Sequence, residues 1–255
     1  MPKVTCVVPS YNRPKLIKDT IDSLREQTLK DIEVLICDDD SNLETIAAIE
    51  DAFQGDERFR LIRQAAGRPA LSERGQLTRY CMTINRGLSE ATGLYQCSIP
   101  DDDFYFTTWF EEASKALDAH PQVPVVYGRM RSVTYDASSH WDSSAAPKAG
   151  RTYAKWGETD PETGKPVNPA TWEPGMRQLP GGLDHSQFMW RASLLKQFPT
   201  TEWWPVCRAD QDVGDAAFLK CLAALGHQAL AVDTMACSKR FHGLSYGRTK
   251  GEVRE

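Results

Sequence analysis

No membrane-spanning or secretory segment is expected from this sequence. No apolar run approaches the roughly 18 residues that a transmembrane helix needs, and the first residues, MPKVTCVVPS, do not have the layout of a signal peptide. There is no C-x-x-C pair, and the seven cysteines (Cys6, Cys37, Cys81, Cys97, Cys207, Cys221 and Cys237) are odd in number and scattered. That speaks against a disulfide framework. Several of them stand in apolar, strand-like runs, where a reduced thiol acts as a small hydrophobe, so a cytoplasmic setting is expected. Positive charge is also short. A net charge of −5 argues against a general nucleic-acid-binding surface and leaves room only for a local basic groove.

What is present is the composition of a globular protein: 255 residues, 41% hydrophobic and 25% charged. Val4 to Pro9 is a continuous, largely β-branched run of the kind buried inside a parallel sheet. Ser10-Tyr11-Asn12 ends it, with Pro14 placed for the first turn of a helix and Asn12 as a plausible cap. Ile17, Ile21 and Leu24 recur at helical spacing; Ile32 to Cys37 reads as a second strand, then Ile46, Ile49 and Phe53 as a helix, and Phe59 to Ile62 as a third strand. This alternation predicts an α/β fold with a parallel sheet and right-handed crossovers. Leu77 to Glu90 and Trp109 to Ala119 read as helices, and Tyr95 to Ile99 as the strand between them. Val123 to Tyr127 reads as a strand, and Arg129 to Tyr135 as another of different direction.

Two of these strands end in acid. Ile32 to Cys37 runs into Asp38, Asp39 and Asp40, and the apolar run through Ile99 stops at Pro100 and opens into Asp101, Asp102 and Asp103. In open α/β sheets, ligands bind at the carboxyl ends of strands. Adjacent carboxylates repel one another, and a hard divalent cation with phosphate oxygens on its far side offsets them. A solvated acidic turn is the other reading of either triplet alone; the recurrence weighs against it.

Between about Ser138 and Gly182, prolines and glycines are interleaved with Trp141, Trp156 and Trp172, and no helix is expected. A long loop in a compact domain is usually functional or disordered; here the tryptophans either stack on a sugar ring or anchor the loop. Leu183-Asp184-His185 precedes a strand from Phe188 to Trp190 and a helix from about Ala192 to Phe198. Asp210, Asp212 and Asp215 then lead into a helix from Ala216 to Leu225, where Asp215 is either a cap or a catalytic carboxylate. KRFHGLSYG, which holds His242, reads as a loop.

VTCVVPSYNRPKLIKDTIDSLREQT, DIEVLICDDDSN, IPDDD and GDAAFLKCLAALGH together resemble glycosyltransferase family 2, from the first strand to about Val232. The resemblance implies a GT-A type fold: one Rossmann-like, mostly parallel sheet flanked by helices, with a smaller acceptor-facing part. It implies one domain over 1–255, with a nucleotide-binding half over about 1–103 and an acceptor-binding half, including the long loop, over about 104–255. It implies an inverting transfer from a UDP- or dTDP-sugar to an acceptor hydroxyl. Tyr11 would stack on the base, Asp39 would accept from its N–H, Arg74 would meet its carbonyl, and Asp101 would hold the ribose or sugar side. Asp102 would bind Mn²⁺ or Mg²⁺ bridging the diphosphate, with His242 in the metal shell or on a phosphate unless it is a surface residue. Asp215 would be the general base, and Asp184 and His185 would face the acceptor. One departure stands out: family members often read Glu-Asp where this chain has Gly214-Asp215.

Two other classes remain. A nucleotidyltransferase would use a similar sheet and metal but usually shows a glycine-rich basic loop where this chain has PSYNRPK. A non-catalytic nucleotide-sugar-binding module would keep the pocket and lack the base. The acceptor is open: a glycan, a lipid-linked sugar, a protein or a modified nucleic-acid base.

Overall fold

The computed structural model describes residues 1–63, 79–134, 174–178, 183–198, 203 and 214–241. The chain opens with β1 (Val4–Ser10), α1 (Ile17–Arg25), β2 (Ile32–Asp38), α2 (Leu43–Phe53) and β3 (Phe59–Arg63). It continues with α3 (Arg79–Glu90), β4 (Tyr95–Ser98), β5 (Phe104–Tyr105), α4 (Trp109–Ala119) and β6 (Val125–Thr134). β7 (Gly175–Gln178), β8 (Phe188–Arg191), α5 (Gly214–Ala224) and β9 (Gln228–Phe241) complete the described elements.

All nine strands form one sheet in the order β3-β2-β1-β4-β8-β6-β9-β5, with β7 paired to β9. β3, β2, β1 and β4 are mutually parallel, as the alternating pattern requires. β8 enters antiparallel between β4 and β6, and β6 and β9 are parallel to each other. The sheet is therefore mixed but mostly parallel. Every residue of β1 is buried, because strands lie on both sides of it and helices cover both faces. Cys6 and Val8 face α1, α2 and α4 through Ile17, Ile21, Leu24, Ile49 and Phe110. Val7 faces α3 and α5 through Cys81, Ile84, Phe218 and Leu222. Two cores thus sandwich one sheet.

Several expectations are corrected. Asn12 does not cap α1; that helix begins at Ile17 with Leu16 at its N-cap. Asn12 instead adopts φ 49°, and its side chain accepts a hydrogen bond from the Asn42 N–H at 2.8 Å, tying the turn after β1 to the start of α2. The segments 123–127 and 129–135 are not two strands of different direction. β6 is continuous, with a register shift at Gly128, where the missing Cβ admits the ring of Trp109. Residues 192–198 form a 3-10 helix (Ala192–Gln197) rather than an α-helix, and α5 starts two residues early, so Asp215 lies in its first turn. β7 lies inside the stretch expected to be loop. Lys239, Arg240 and Phe241 are not in a loop but end β9, held there by pairing with β6.

β9 returns to the N-terminal half through one buried cation. Arg240 donates to Asp19 of α1 at 2.5 Å and to the Leu16 carbonyl at 3.1 Å, and its Nε bonds the Asp102 carbonyl. A buried charge whose partner is removed typically costs 3–5 kcal/mol. Arg240→Ala should lower unfolding free energy in urea by about that amount, whereas Asp19→Leu combined with Arg240→Met should recover most of it. If the double variant is as unstable as the single one, the ion pair is not the source of the loss.

Candidate functional site

Asp101, Asp102 and Asp103 occupy the turn between β4 and β5, and all three are buried, at 2%, 8% and 1% exposure. That excludes a solvated turn, since water is not available to screen their repulsion. Protein cations do so instead. Arg13 Nη1 lies 2.7 Å from Asp101 Oδ1 and 2.8 Å from Asp102 Oδ2. The other oxygen of Asp101 accepts from Ser10 Oγ at 3.0 Å and from the Tyr11 N–H at 2.9 Å. Asp103 accepts from the Arg240 N–H at 2.8 Å, and Lys239 Nζ lies 3.6 Å from its second oxygen and 2.6 Å from Asp184. Burial pushes Asp101 up to about 6; Arg13 opposes the rise and the Asp102 charge adds to it. Burial pushes Asp103 up to about 7, with Lys239 opposing and the charges of Asp102 and Asp184 adding to it.

β1, β2 and β4 are neighbours and run parallel, so Tyr11, Asp39 and Asp101 follow adjacent strand ends. The Asp39 N–H donates to the Ser10 carbonyl at 2.8 Å, which fixes its carboxyl-bearing residue against β1. Asp38, in the same triplet, accepts from the backbone of Asp40 and Ser41 and so shapes the turn. Arg74, His242, Asp210, Asp212 and the tryptophans at 141, 156 and 172 lie outside the described residues.

A second group gathers across β4. His185 Nδ1 is 3.3 Å from Ser98 Oγ, at the end of β4, and its ring centroid is 5.8 Å from that of Tyr80 at the start of α3. Tyr80 in turn meets the start of α5: the Asp215 backbone hydrogen-bonds its hydroxyl, and burial first, then the Asp215 charge, raise its pKa. His185 and Asp215 are thereby linked through one tyrosine. Asp184 is turned the other way; it caps the 3-10 turn His185–Gln187 in a capping box and pairs with Lys239. Sequence reading missed Arg13, Tyr80, Lys239 and Arg240. Arg13 and the Lys239-Arg240 pair were visible as cations beside the motifs, but which acid each would meet was not.

The donor set suits a hard divalent ion. One guanidinium nitrogen stands where a cation shared by Asp101 and Asp102 would stand, and both offer carboxylate oxygen. Among the described residues no three His, Cys, Asp or Glu side chains converge on one point, so two carboxylates are what this part of the protein offers. Magnesium-type sites commonly use one or two carboxylates plus substrate phosphates. The cavity of about 670 Å³ lined by Lys18, Arg25, Asp51 and Arg58 is elsewhere, along α1 and at the end of α2.

The family model for Glycosyl transferase family 2 matches residues 5–171. An uncharacterized glycosyltransferase, EpsJ, of Bacillus subtilis (strain 168) is 31% identical over 118 residues, covering 46% of this chain and 31% of the relative. The GalNAc(5)-diNAcBac-PP-undecaprenol beta-1,3-glucosyltransferase of Campylobacter jejuni is 27% identical over 103 residues, covering 40% of this chain and 30% of the relative. The matched segments thus span about a third of these relatives. Among solved structures, S. aureus TarS 1-349 in complex with UDP-GlcNAc matches 95% of this chain and 60% of that one, at TM-score 0.64 and 18% identity. The mannosyltransferase PcManGT of Pyrobaculum calidifontis, in complex with GDP-Man and Mn²⁺, covers 96% of this chain and 59% of that one, at TM-score 0.62 and 17% identity. The shared fold is the GT-A type expected from the sequence.

Gly214 is fixed by the contact with α3. A Cβ there would fall inside the van der Waals shell of Cys81 Sγ and come within 3.1 Å of the Tyr80 hydroxyl. Gly214→Ala should therefore cost about 1–3 kcal/mol as an overpacking substitution, despite the better helix propensity of alanine. Adding Cys81→Ala should restore part of it in chemical denaturation. Equal stability of Gly214→Ala and wild type would remove the close approach.

Proposed function

We propose, since the chain belongs to glycosyl transferase family 2, that it is an inverting, metal-dependent glycosyltransferase, using a UDP- or dTDP-sugar and an acceptor hydroxyl. The observation that carries this reading is the pairing of two carboxylate sites across β4: Asp101 and Asp102 beyond its end, and Asp215 linked back to Ser98 through Tyr80 and His185. Donor complexes of the neighbours with UDP-GlcNAc and with GDP-Man and Mn²⁺ support the donor class and the metal.

Tyr11 stacks on the base, Asp39 accepts from its N–H and Arg74 donates to its carbonyl. Asp101 holds the ribose or sugar side of the donor. Asp102 and His242 would hold Mn²⁺ or Mg²⁺, which would supply neutralisation of the charge gathering on the leaving diphosphate, worth several kcal/mol. Asp215 stands across the anomeric carbon and takes the proton of the acceptor hydroxyl as its oxygen bonds to that carbon. The carbon–phosphate-oxygen bond breaks on the far face, the nucleoside diphosphate leaves, and configuration inverts. The N-terminus of α5 favours negative charge on Asp215. His185, buried beside Tyr80, shapes the acceptor side, and Asp184 holds its turn. Among acceptors, a lipid-linked sugar has the support of the Campylobacter relative's name.

Asp215→Asn should keep UDP affinity and melting temperature but lower sugar transfer or donor hydrolysis at least about 10²-fold, the low end for a lost general base. The assay is nucleoside-diphosphate release from a panel of UDP- and dTDP-sugars. Unchanged turnover in the variant would remove Asp215 from the chemistry, and a wild type inert on every donor and acceptor supplied would favour a binding module.

Asp39 accepts from a ring N–H while Arg74 donates to the carbonyl beside it, a pattern that uracil and thymine offer; adenine presents an unprotonated ring nitrogen and an amine instead. UDP should bind more tightly than ADP by about 1–3 kcal/mol, the usual cost of a buried polar group left unpaired. Calorimetry with Mn²⁺ present measures this, and Asp39→Ala should erase the preference. Equal affinities for UDP and ADP would remove Asp39 from base recognition.

A further inference from the structure

The cation standing between Asp101 and Asp102 belongs to the protein. Arg13 places a single nitrogen, Nη1, within 2.8 Å of both carboxylates, so the guanidinium sits on the point the two acids share. Its backbone is fixed independently of that contact. The Arg13 carbonyl accepts from the Leu16 and Ile17 N–H groups at the start of α1, and Asn12, next in the chain, is pinned to Asn42 and Ser41. The side chain, at 22% exposure, is the part able to move. Asp101 and Asp102, at 3% and 11% side-chain exposure, cannot be left without a cation at tolerable cost. Nor is the displaced guanidinium stable without an anion, and planar, bidentate pairing with phosphate oxygens is what guanidinium does well.

We propose that Arg13 is a resident cation that a divalent metal must displace from Asp101 and Asp102, and that it transfers to the donor diphosphate as it leaves. This rests on the reading of Asp102 as a metal ligand. Two ion-pair exchanges then happen together: the acids trade guanidinium for metal, and the guanidinium trades acids for phosphate. Neither is favourable alone, because each would leave a charge uncompensated in a poorly hydrated site. Metal and nucleoside diphosphate are therefore coupled through Arg13 in addition to any direct bond between them. Linkage requires the coupling to be the same whichever binds first. Arg13 is then a donor-binding residue, held ready at the site it vacates.

The test is calorimetric and spectroscopic and needs no sugar donor. Mn²⁺ affinity is measured by electron paramagnetic resonance, without and with saturating UDP, for wild type, Arg13→Gln, Arg13→Lys and Asp102→Asn; UDP affinity is measured with and without Mn²⁺. Circular dichroism melting checks that each variant is folded. Arg13→Gln should bind Mn²⁺ alone more tightly than wild type, and the factor by which UDP strengthens Mn²⁺ binding should fall at least about tenfold, within the usual range of coupling factors. Arg13→Lys, which keeps the charge but not the bidentate fork, should recover part of that factor. A static Arg13 that merely repels the metal would also give tighter Mn²⁺ binding in Arg13→Gln, but with the UDP factor unchanged; that result overturns the proposal. If Asp102→Asn binds Mn²⁺ as wild type does, or no protein binds it with UDP present, the metal reading itself fails, and this proposal with it. Loss of Mn²⁺ binding in Asp102→Asn together with an unaltered UDP factor in Arg13→Gln would sink the Arg13 exchange alone.

Discussion

Three neighbouring carboxylates can be buried only if cations are buried with them, and the fold is arranged around meeting that demand at the end of β4. The idealised cost of desolvating a carboxylate is far larger than any single contact returns, so an unpaired acid there would protonate or unfold its surroundings. The cations come from opposite ends of the chain. Arg13 arrives on the turn between β1 and α1, and Lys239 and Arg240 arrive on β9. The last described strand is thus bound to the first helix through the Arg240–Asp19 pair as well as through the sheet. The same residues that balance the site join the parallel half of the sheet to the half built from returning strands.

The parallel half was legible because burial on both faces writes itself as an uninterrupted apolar run. Val4 to Pro9 and Ile32 to Cys37 have that character, and the intervening helices carry apolar residues at helical spacing. β9 has neither signature. QALAVDTMACSKRF is short of β-branched residues and carries Lys239 and Arg240 near its end, whose counter-charges, Asp103, Asp184 and Asp19, lie more than fifty residues away in sequence, so no local pattern marks them as sheet residues. β5 is two residues long and exists through its pairing with β9, so no local pattern marks it. The 3-10 helix at Ala192–Gln197 shows the same limit from the other side, a helical composition in a segment too short to settle into an α-helix.

The site divides along the same line. Asp101 and Asp102 were legible because consecutive acids after a strand are conspicuous, and Asp215 because it precedes an apolar helix. Arg13 was not, although it sits in the first motif, since only the fold brings the turn after β1 beside the turn after β4. Tyr80 was hidden more completely. It lies in an ordinary-looking helix start, and its importance comes from facing His185 on one side and the first turn of α5 on the other.

Gly214 joins these threads. The residue before Asp215 is a glycine, and packing accounts for it. With Cys81 and Tyr80 against the first turn of α5, a side chain at 214 fits only if these neighbours shift. Tyr80 occupies the volume and binds the Asp215 backbone, so the carboxylate at 215 is set by an aromatic neighbour on α3. The two halves of the site are then held by different physics. Around Asp101 and Asp102 it is charge balance with Arg13. Around Asp215 it is close packing and a helix terminus, which admits very little movement. The proposed transfer would use that contrast, because a leaving diphosphate departs with its counter-ions, whereas a general base has to stay within hydrogen-bond reach of the attacking hydroxyl.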